Sequence, residues 1–242
     1  MNSFRIIPTL LIKEEELVKG KQFAEYRYIG DPINAVKIFN EKEVDEICIL
    51  DITASRKKEP PNYELVKEIA SEAFMPLSYG GGLNDIDQVT RILQSGAEKV
   101  IFNTAIHTNP QLIKQTAEKF GASGTVVSID VKRRANEYYA FVLNGTVETG
   151  FTAVEMAKRV EILGAGEIIL TSIDREGMKQ GYDINLIEQV SQAVQIPVIA
   201  NGGAGNKTHF QMAIHAGASA VTAGTYFVFY SKLEGVLITY DI

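Results

Sequence analysis

One cysteine stands among 242 residues: Cys48, inside the apolar run Ile47–Leu50. A disulfide within the chain is therefore impossible, a metal site built on several thiolates is excluded, and the thiol itself reads as core. Histidine is nearly as scarce. His107, His209 and His215 share no metal-ligand spacing and read as surface or loop residues, so neither a metal nor a cofactor is expected. No run approaches the roughly 18 uncharged apolar residues of a membrane span, and residues 1–12 carry Arg5 without a small-residue cleavage pattern. These absences point to a soluble cytoplasmic protein. Positive charge is not in excess either. A net charge of −6 argues against a general nucleic-acid or membrane surface, although local basic spots are allowed. Small anions or another protein are the expected partners.

What the chain does have is enough apolar residue for one substantial core, 45% hydrophobic against 22% charged. Short runs rich in Ile, Val and Leu alternate with amphipathic stretches, the βα pattern of a parallel sheet. Strands are predicted near Ile6–Ile12, Ile47–Ile52, Pro76–Tyr79, Lys99–Asn103, Thr125–Asp130, Glu167–Thr171, Pro197–Ala200 and Ala220–Ala223. Between them the spacing predicts helices such as Tyr63–Ala73, with Leu65, Ile69 and Ala73 on one face, and Leu186–Val194. Eight parallel strands in a chain of this length suit one closed (β/α)8 TIM barrel spanning residues 1–242.

Positions 121 residues apart match in several blocks. Glu46, Ile47 and Ile52 fall on Glu167, Ile168 and Ile173; Leu65, Pro76, Gly81 and Gly82 fall on Leu186, Pro197, Gly202 and Gly203; Gly96 and Val100 fall on Gly217 and Val221. A fixed offset across strands, turns and helices implies two copies of a (β/α)4 unit, approximately 1–121 and 122–242.

The repeat also points to the site. Gly81 and Gly82 follow the third strand, and Gly202 and Gly203 follow the seventh. Asn103-Thr104 and Gly224-Thr225 follow the fourth and the eighth. Loops after strands seven and eight are the usual phosphate site of such barrels, so the paired pattern suggests two phosphates; tight turns are the plainer reading of each glycine pair. Asp130 ends the fifth strand, where a carboxylate at the mouth suits acid/base work and also suits a cap. Asp51 and Asp174 are supportive. Lys19 lies in a long charged segment after the first strand, either a flexible loop that folds over a substrate or a solvated surface. Arg5, Glu46, Lys99 and Glu167 start strands one, two, four and six and should ring the opposite rim, where salt bridging that plugs the barrel is the simplest account.

Over essentially its whole length the chain resembles the cyclase subunit of imidazole glycerol phosphate synthase, the HisF family. The resemblance rests on Arg5-Ile6-Ile7, Val18-Lys19-Gly20, Gly30-Asp31-Pro32, Leu50-Asp51-Ile52-Thr53-Ala54-Ser55, Gly80-Gly81-Gly82, Asn103-Thr104, Ser128-Ile129-Asp130, Leu170-Thr171-Ser172-Ile173-Asp174-Arg175 and Gly202-Gly203-Ala204-Gly205. It implies a HisH-like glutaminase docked on the amino-terminal rim and ammonia passing through the barrel to a substrate with a phosphate at each end. Arg5, Glu46, Lys99 and Glu167 then read as the gate at the tunnel entrance, with Ser78 in its lining; Asp130 and Lys19 read as catalytic.

The family reaction uses a second aspartate, at the end of strand one. Aligning Leu10-Leu11-Ile12-Lys13 with Ile129-Asp130-Val131-Lys132 puts Leu11 there, and leucine cannot transfer a proton. Asn144 and Glu176 depart from the family more mildly. Gly30-Asp31-Pro32-Ile33-Asn34-Ala35, Leu10-Leu11 and Phe227-Val228-Phe229 resemble a divergent branch found in surface-polysaccharide clusters. For that branch the resemblance implies ammonia supply for amidination of a bacterial sugar, with a sugar amidotransferase as a further partner. Two alternatives stay open: a true histidine-pathway cyclase in which Asp51 or Glu14 substitutes, and a non-catalytic scaffold that activates a glutaminase.

Overall fold

The computed structural model describes residues 4–230 and 234–242. Among these, eight parallel strands close on themselves: β1 (Arg5–Lys13), β4 (Ile47–Asp51), β5 (Leu77–Gly80), β6 (Lys99–Phe102), β7 (Thr125–Arg134), β10 (Glu167–Ser172), β11 (Val198–Asn201) and β12 (Ala220–Ala223), the last pairing back onto β1. This is the expected (β/α)8 barrel. Two antiparallel extensions complete the sheet, β2 (Glu16–Lys21) with β3 (Ala24–Gly30) and β8 (Glu137–Val142) with β9 (Val147–Thr152). A short pair, β13 (Phe229–Tyr230) and β14 (Gly235–Val236), lies near the carboxyl end. Among the described residues no helix is long and apolar enough to cross a membrane.

The 121-residue offset is visible in the elements themselves. The helix Pro32–Glu41 recurs as Ala153–Ile162 and Ile86–Gln94 as Lys207–His215. Their caps recur too: Asp31 and Thr152, then Asp85 and Asn206, each accept a backbone N–H of the first helical turn. Each half opens with a long strand that runs out of the barrel into a three-stranded meander, β1-β2-β3 and β7-β8-β9.

Two sequence expectations shift. The helix predicted over Tyr63–Ala73 runs Tyr63–Glu72 and buries Val66 and Ile69, with Leu65 and Ala73 only partly covered. The helix predicted over Leu186–Val194 runs Ile184–Ser191, its start set by the Asp183 cap.

Apolar residues form two layers. A large cluster between strands and helices includes Phe39, Phe102, Phe210 and Phe227. Phe39 meets Phe227 edge to face with centroids 6.2 Å apart, joining the first helix to the last turn of the ring. Inside the barrel a smaller cluster of Ile7, Cys48, Ile101, Val126, Ile169, Ile199 and Ala220 separates the two ends.

Candidate functional site

The carboxyl ends of the strands enclose a cavity lined by Leu11, Lys19, Asp51, Gly81, Gly82, Asn103, Thr104, Asp130, Glu176 and Gly224, among others. The long strand β7 carries Asp130 into it from mid-strand, since the chain continues four residues farther into the meander. Ser128 Oγ donates to Asp130 Oδ1 at 3.0 Å and Asn103 Nδ2 donates to Oδ2 at 3.1 Å. Burial pushes this carboxyl up to about 7, against the pull of the Ser128 hydroxyl. It is therefore poised to give or take a proton near neutrality.

Across the mouth, Leu11 occupies the position that Asp130 occupies in the other half. The neighbouring strands fix this from both sides. Leu11 pairs with Leu50 as Asp130 pairs with Thr171, and Ile6 pairs with Val221 as Thr125 pairs with Val100. The partners in each comparison lie 121 residues apart, whereas in the first strand the offset is 119, which carries Leu11 onto Asp130.

Lys19 departs from expectation. It sits in β2, not in a flexible loop, and it is buried and ion-paired with Glu176. The alternation Glu25-Tyr26-Arg27-Tyr28 in the paired strand was the available signal, masked by its charge. Glu176, in sequence only a mild departure from the family, lines the cavity beside Lys19. Its neighbours act elsewhere: Asp174 Oδ2 accepts from Arg133 N at 2.9 Å, and Arg175 faces Asp183 at 3.7 Å instead of Asp174.

The two glycine sets separate. Gly81, Gly82, Asn103 and Thr104 line the central cavity, whereas Gly202, Gly203 and Thr225 line a second recess that shares Glu176 and Gly224 with it. Gly203 is obligatory for fit alone: φ is +109° and a Cβ would lie 2.2 Å from the Gly181 carbonyl oxygen. Among the described residues, the turn and loop hydrogen bonds use none of the N–H groups of Gly202, Gly203, Gly224 or Thr225. The buried Thr225 hydroxyl also lacks a partner.

Of the proposed substitutes for a carboxylate near Leu11, Glu14 is exposed, pairs with Lys57 at 2.8 Å and lies outside the cavity lining. Asp51 lines the cavity. Its Oδ1 caps the next turn, accepting from Thr53 N at 2.7 Å and Ala54 N at 3.1 Å, and burial raises its carboxyl above the ordinary value.

At the other end, Arg5, Glu46, Lys99 and Glu167 form a closed ring. Arg5 bonds Glu167 and reaches Glu46 at 2.7 Å; Lys99 reaches Glu46 at 3.0 Å and Glu167 at 2.9 Å. Burial works to raise the Glu167 carboxyl, but the hydrogen bonds and charges of Lys99 and Arg5 outweigh it and hold it below its usual value. Ser78 is buried in the wall above, donating to the Ile47 carbonyl at 3.2 Å.

Residues 5–234 match the family described as "Histidine biosynthesis protein". The chain is 46% identical to a Hydrogenobaculum protein named imidazole glycerol phosphate synthase subunit HisF, over 93% of this chain and 90% of that one. It is 46% identical to a Pseudomonas aeruginosa protein designated hisF2, over 98% and 95%, and 43% identical to a Vibrio vulnificus protein designated hisF3, over 98% and 92%. With the barrel, the register and the length of these matches together, the chain belongs to the HisF family of imidazole glycerol phosphate synthase subunits.

Proposed function

We propose that this chain is the synthase subunit of an ammonia-using complex. It receives ammonia from a HisH-like glutaminase on its amino-terminal rim and delivers it to a phosphorylated ligand at the mouth. It is the paralogue that serves amidination of a bacterial surface sugar, alongside a sugar amidotransferase, and not the histidine-pathway cyclase.

The observation that carries this choice is Leu11 in the register position of Asp130. A reaction that needs two acid/base carboxylates loses roughly 10²–10⁴-fold in rate when one is replaced by hydrocarbon. The rest of the machinery is retained. Unpartnered donors at Gly202, Gly203, Gly224 and Thr225 suit a phosphate, as do the glycines beside Asn103 and Thr104. Between the charged ring and the mouth, the barrel interior is mostly hydrocarbon, with the uncharged Ser78 and Thr9 hydroxyls beside Cys48, and a lining without charge favours passage of neutral ammonia over ammonium. The designations hisF2 and hisF3 among the relatives agree with a second-copy role.

The deciding experiment supplies the histidine-pathway precursor with an ammonium salt and follows imidazole glycerol phosphate. Negligible product and no rescue of a histidine auxotroph are expected; turnover near that of an ordinary cyclase overturns the reading. One observation favours a true cyclase instead: Asp51 is partly buried in the same cavity with a raised carboxyl. Under that reading Asp51→Asn abolishes the turnover. A purely structural scaffold is the weakest account, because it has no use for a carboxyl such as Asp130, held in a cavity where burial raises its pKa.

A further inference from the structure

We propose that Glu176 is a stand-in anion, which holds the Lys19 ammonium at the lip of the second glycine recess until a ligand phosphate takes Lys19 from it. The exchange frees the Glu176 carboxylate toward the cavity that Asp130 lines. This inference rests on reading the Gly202-Gly203 and Gly224-Thr225 loops as a phosphate cradle.

Four features lead to it. Lys19 and Glu176 pair with side-chain exposures of 5% and 9%, so neither charge is satisfied by water. A Cβ on Gly224 would lie 3.0 Å from both Cε and Nζ of Lys19, which places the ammonium directly over that glycine. The recess itself holds donors without acceptors, namely the free loop N–H groups and the orphaned Thr225 hydroxyl. Glu176 borders both the recess and the central cavity, so its carboxylate is the group through which the two communicate.

The same contact holds the β2–β3 hairpin over the mouth. Gln22 N donates to the Glu176 carbonyl at 2.9 Å, and Gly20 and Gly177 are so close that a Cβ on Gly177 would lie 2.6 Å from the Gly20 oxygen. Breaking a buried ion pair leaves an uncompensated charge, so Lys19 leaves Glu176 only for another anion. A phosphate is that anion: it carries up to two charges, accepts the loop N–H groups that a carboxylate on Glu176 leaves unused, and repels the adjacent carboxylate. Glu176 is thus a positioning residue acting through Lys19.

The test is Glu176→Gln in the full chain, read by amide hydrogen exchange across residues 16–30 and by calorimetry with inorganic phosphate. Without phosphate, exchange in the variant hairpin should rise about tenfold or more over the native protein, as expected on losing a buried charge partner. Phosphate should restore native protection, and it should bind the variant about tenfold more tightly because no carboxylate competes. Glu176→Asp should recover part of the protection. A variant hairpin as protected as the native one, or one that phosphate binds without re-protecting, overturns the inference while leaving the cradle intact. Phosphate that binds neither protein removes the cradle reading and this inference together. Should the variant not fold, Lys19→Gln gives the reciprocal readout: phosphate affinity about tenfold weaker, and exchange in the hairpin unchanged by phosphate. Undiminished affinity there also overturns it.

Discussion

Asn103 donates from Nδ2 to Asp130 Oδ2 at 3.1 Å, and among the described residues no lysine or arginine pairs with that carboxylate. A side chain just past β6 therefore orients the carboxyl on the neighbouring β7 by a neutral hydrogen bond, and burial sets its proton affinity.

The pH dependence follows with a definite sign. A carboxyl raised from 3.8 to about 7 costs nothing while protonated in both states, and its burden grows as pH rises from about 4 through about 7. At pH 8 the loss is at most on the order of 4 kcal/mol, because each tenfold change in proton affinity is worth about 1.4 kcal/mol. Asp130→Asn should therefore match the native protein near pH 4 and exceed it in thermal stability at pH 8. Parallel melting curves for the two proteins across this range would refute the assignment. Where the native protein turns over any ligand, the limb titrating near 7 should vanish in the variant.

Leu11→Asp restores a carboxylate at the station equivalent to Asp130. Leu11 is only partly buried and faces the cavity, so the new group meets solvent or ligand, not hydrocarbon core. If the missing proton-transfer group is what separates this chain from a cyclase, ammonia-dependent turnover of the histidine-pathway precursor should rise by about 10²-fold or more over the native chain. Leu11→Asn, similar in size and unable to transfer a proton, should show no gain. Equal turnover in both variants would put the lost activity elsewhere.

The barrel was legible because its eight strands are largely buried on both faces and read as short runs rich in apolar residues, such as Ile47–Leu50 or Ile168–Leu170. The repeat then pointed to the glycine loops and to Leu11, since a symmetry offset needs no knowledge of contacts. What escaped was the pair of meanders. Strands β2 and β3 carry Glu16, Lys19, Lys21, Glu25 and Arg27, and half of their surface faces water, so they look like a charged loop. Lys19 is buried only because Glu176, 157 residues away, supplies its counter-charge, and no local pattern encodes such a pairing. The rim ring was anticipated as four charges at strand starts; its closure into four ion pairs is a property of strand stagger, which only coordinates reveal.

Lys99→Met removes the cation shared by Glu46 and Glu167, leaving Arg5 alone between two carboxylates. Arg5 is 34% exposed at the rim although Glu46, Lys99 and Glu167 are only 5–16% exposed, so water reaches part of the ring and the expected loss at pH 7 is about 2 kcal/mol, below the roughly 3–5 kcal/mol of a fully buried pair. Glu167 has a depressed folded pKa, so its contribution is present above about 4.5 and fades as pH falls through the lower folded value. The native protein and Lys99→Met should thus converge in stability below pH 4. A stability gap that stays constant from pH 7 to pH 3 in denaturant titrations would show that the loss is packing and not charge.

Thr225→Val separates ligand binding from folding because the two effects have opposite signs. In the free protein the Thr225 hydroxyl is buried without a partner, a situation that costs roughly 1–3 kcal/mol. Valine keeps the branched shape and removes the unmet hydroxyl, so the ligand-free variant should melt a few degrees higher, given about 2–4 °C per kcal/mol for a domain of this size. A phosphate in the recess would accept from that hydroxyl, and a hydrogen bond to a charged acceptor contributes about 1.5–3 kcal/mol. Inorganic phosphate should accordingly bind the variant at least tenfold more weakly and raise its melting temperature less than that of the native protein. A variant that melts lower and binds phosphate as well as the native chain would mean that the hydroxyl serves the fold, and would remove Thr225 from the cradle.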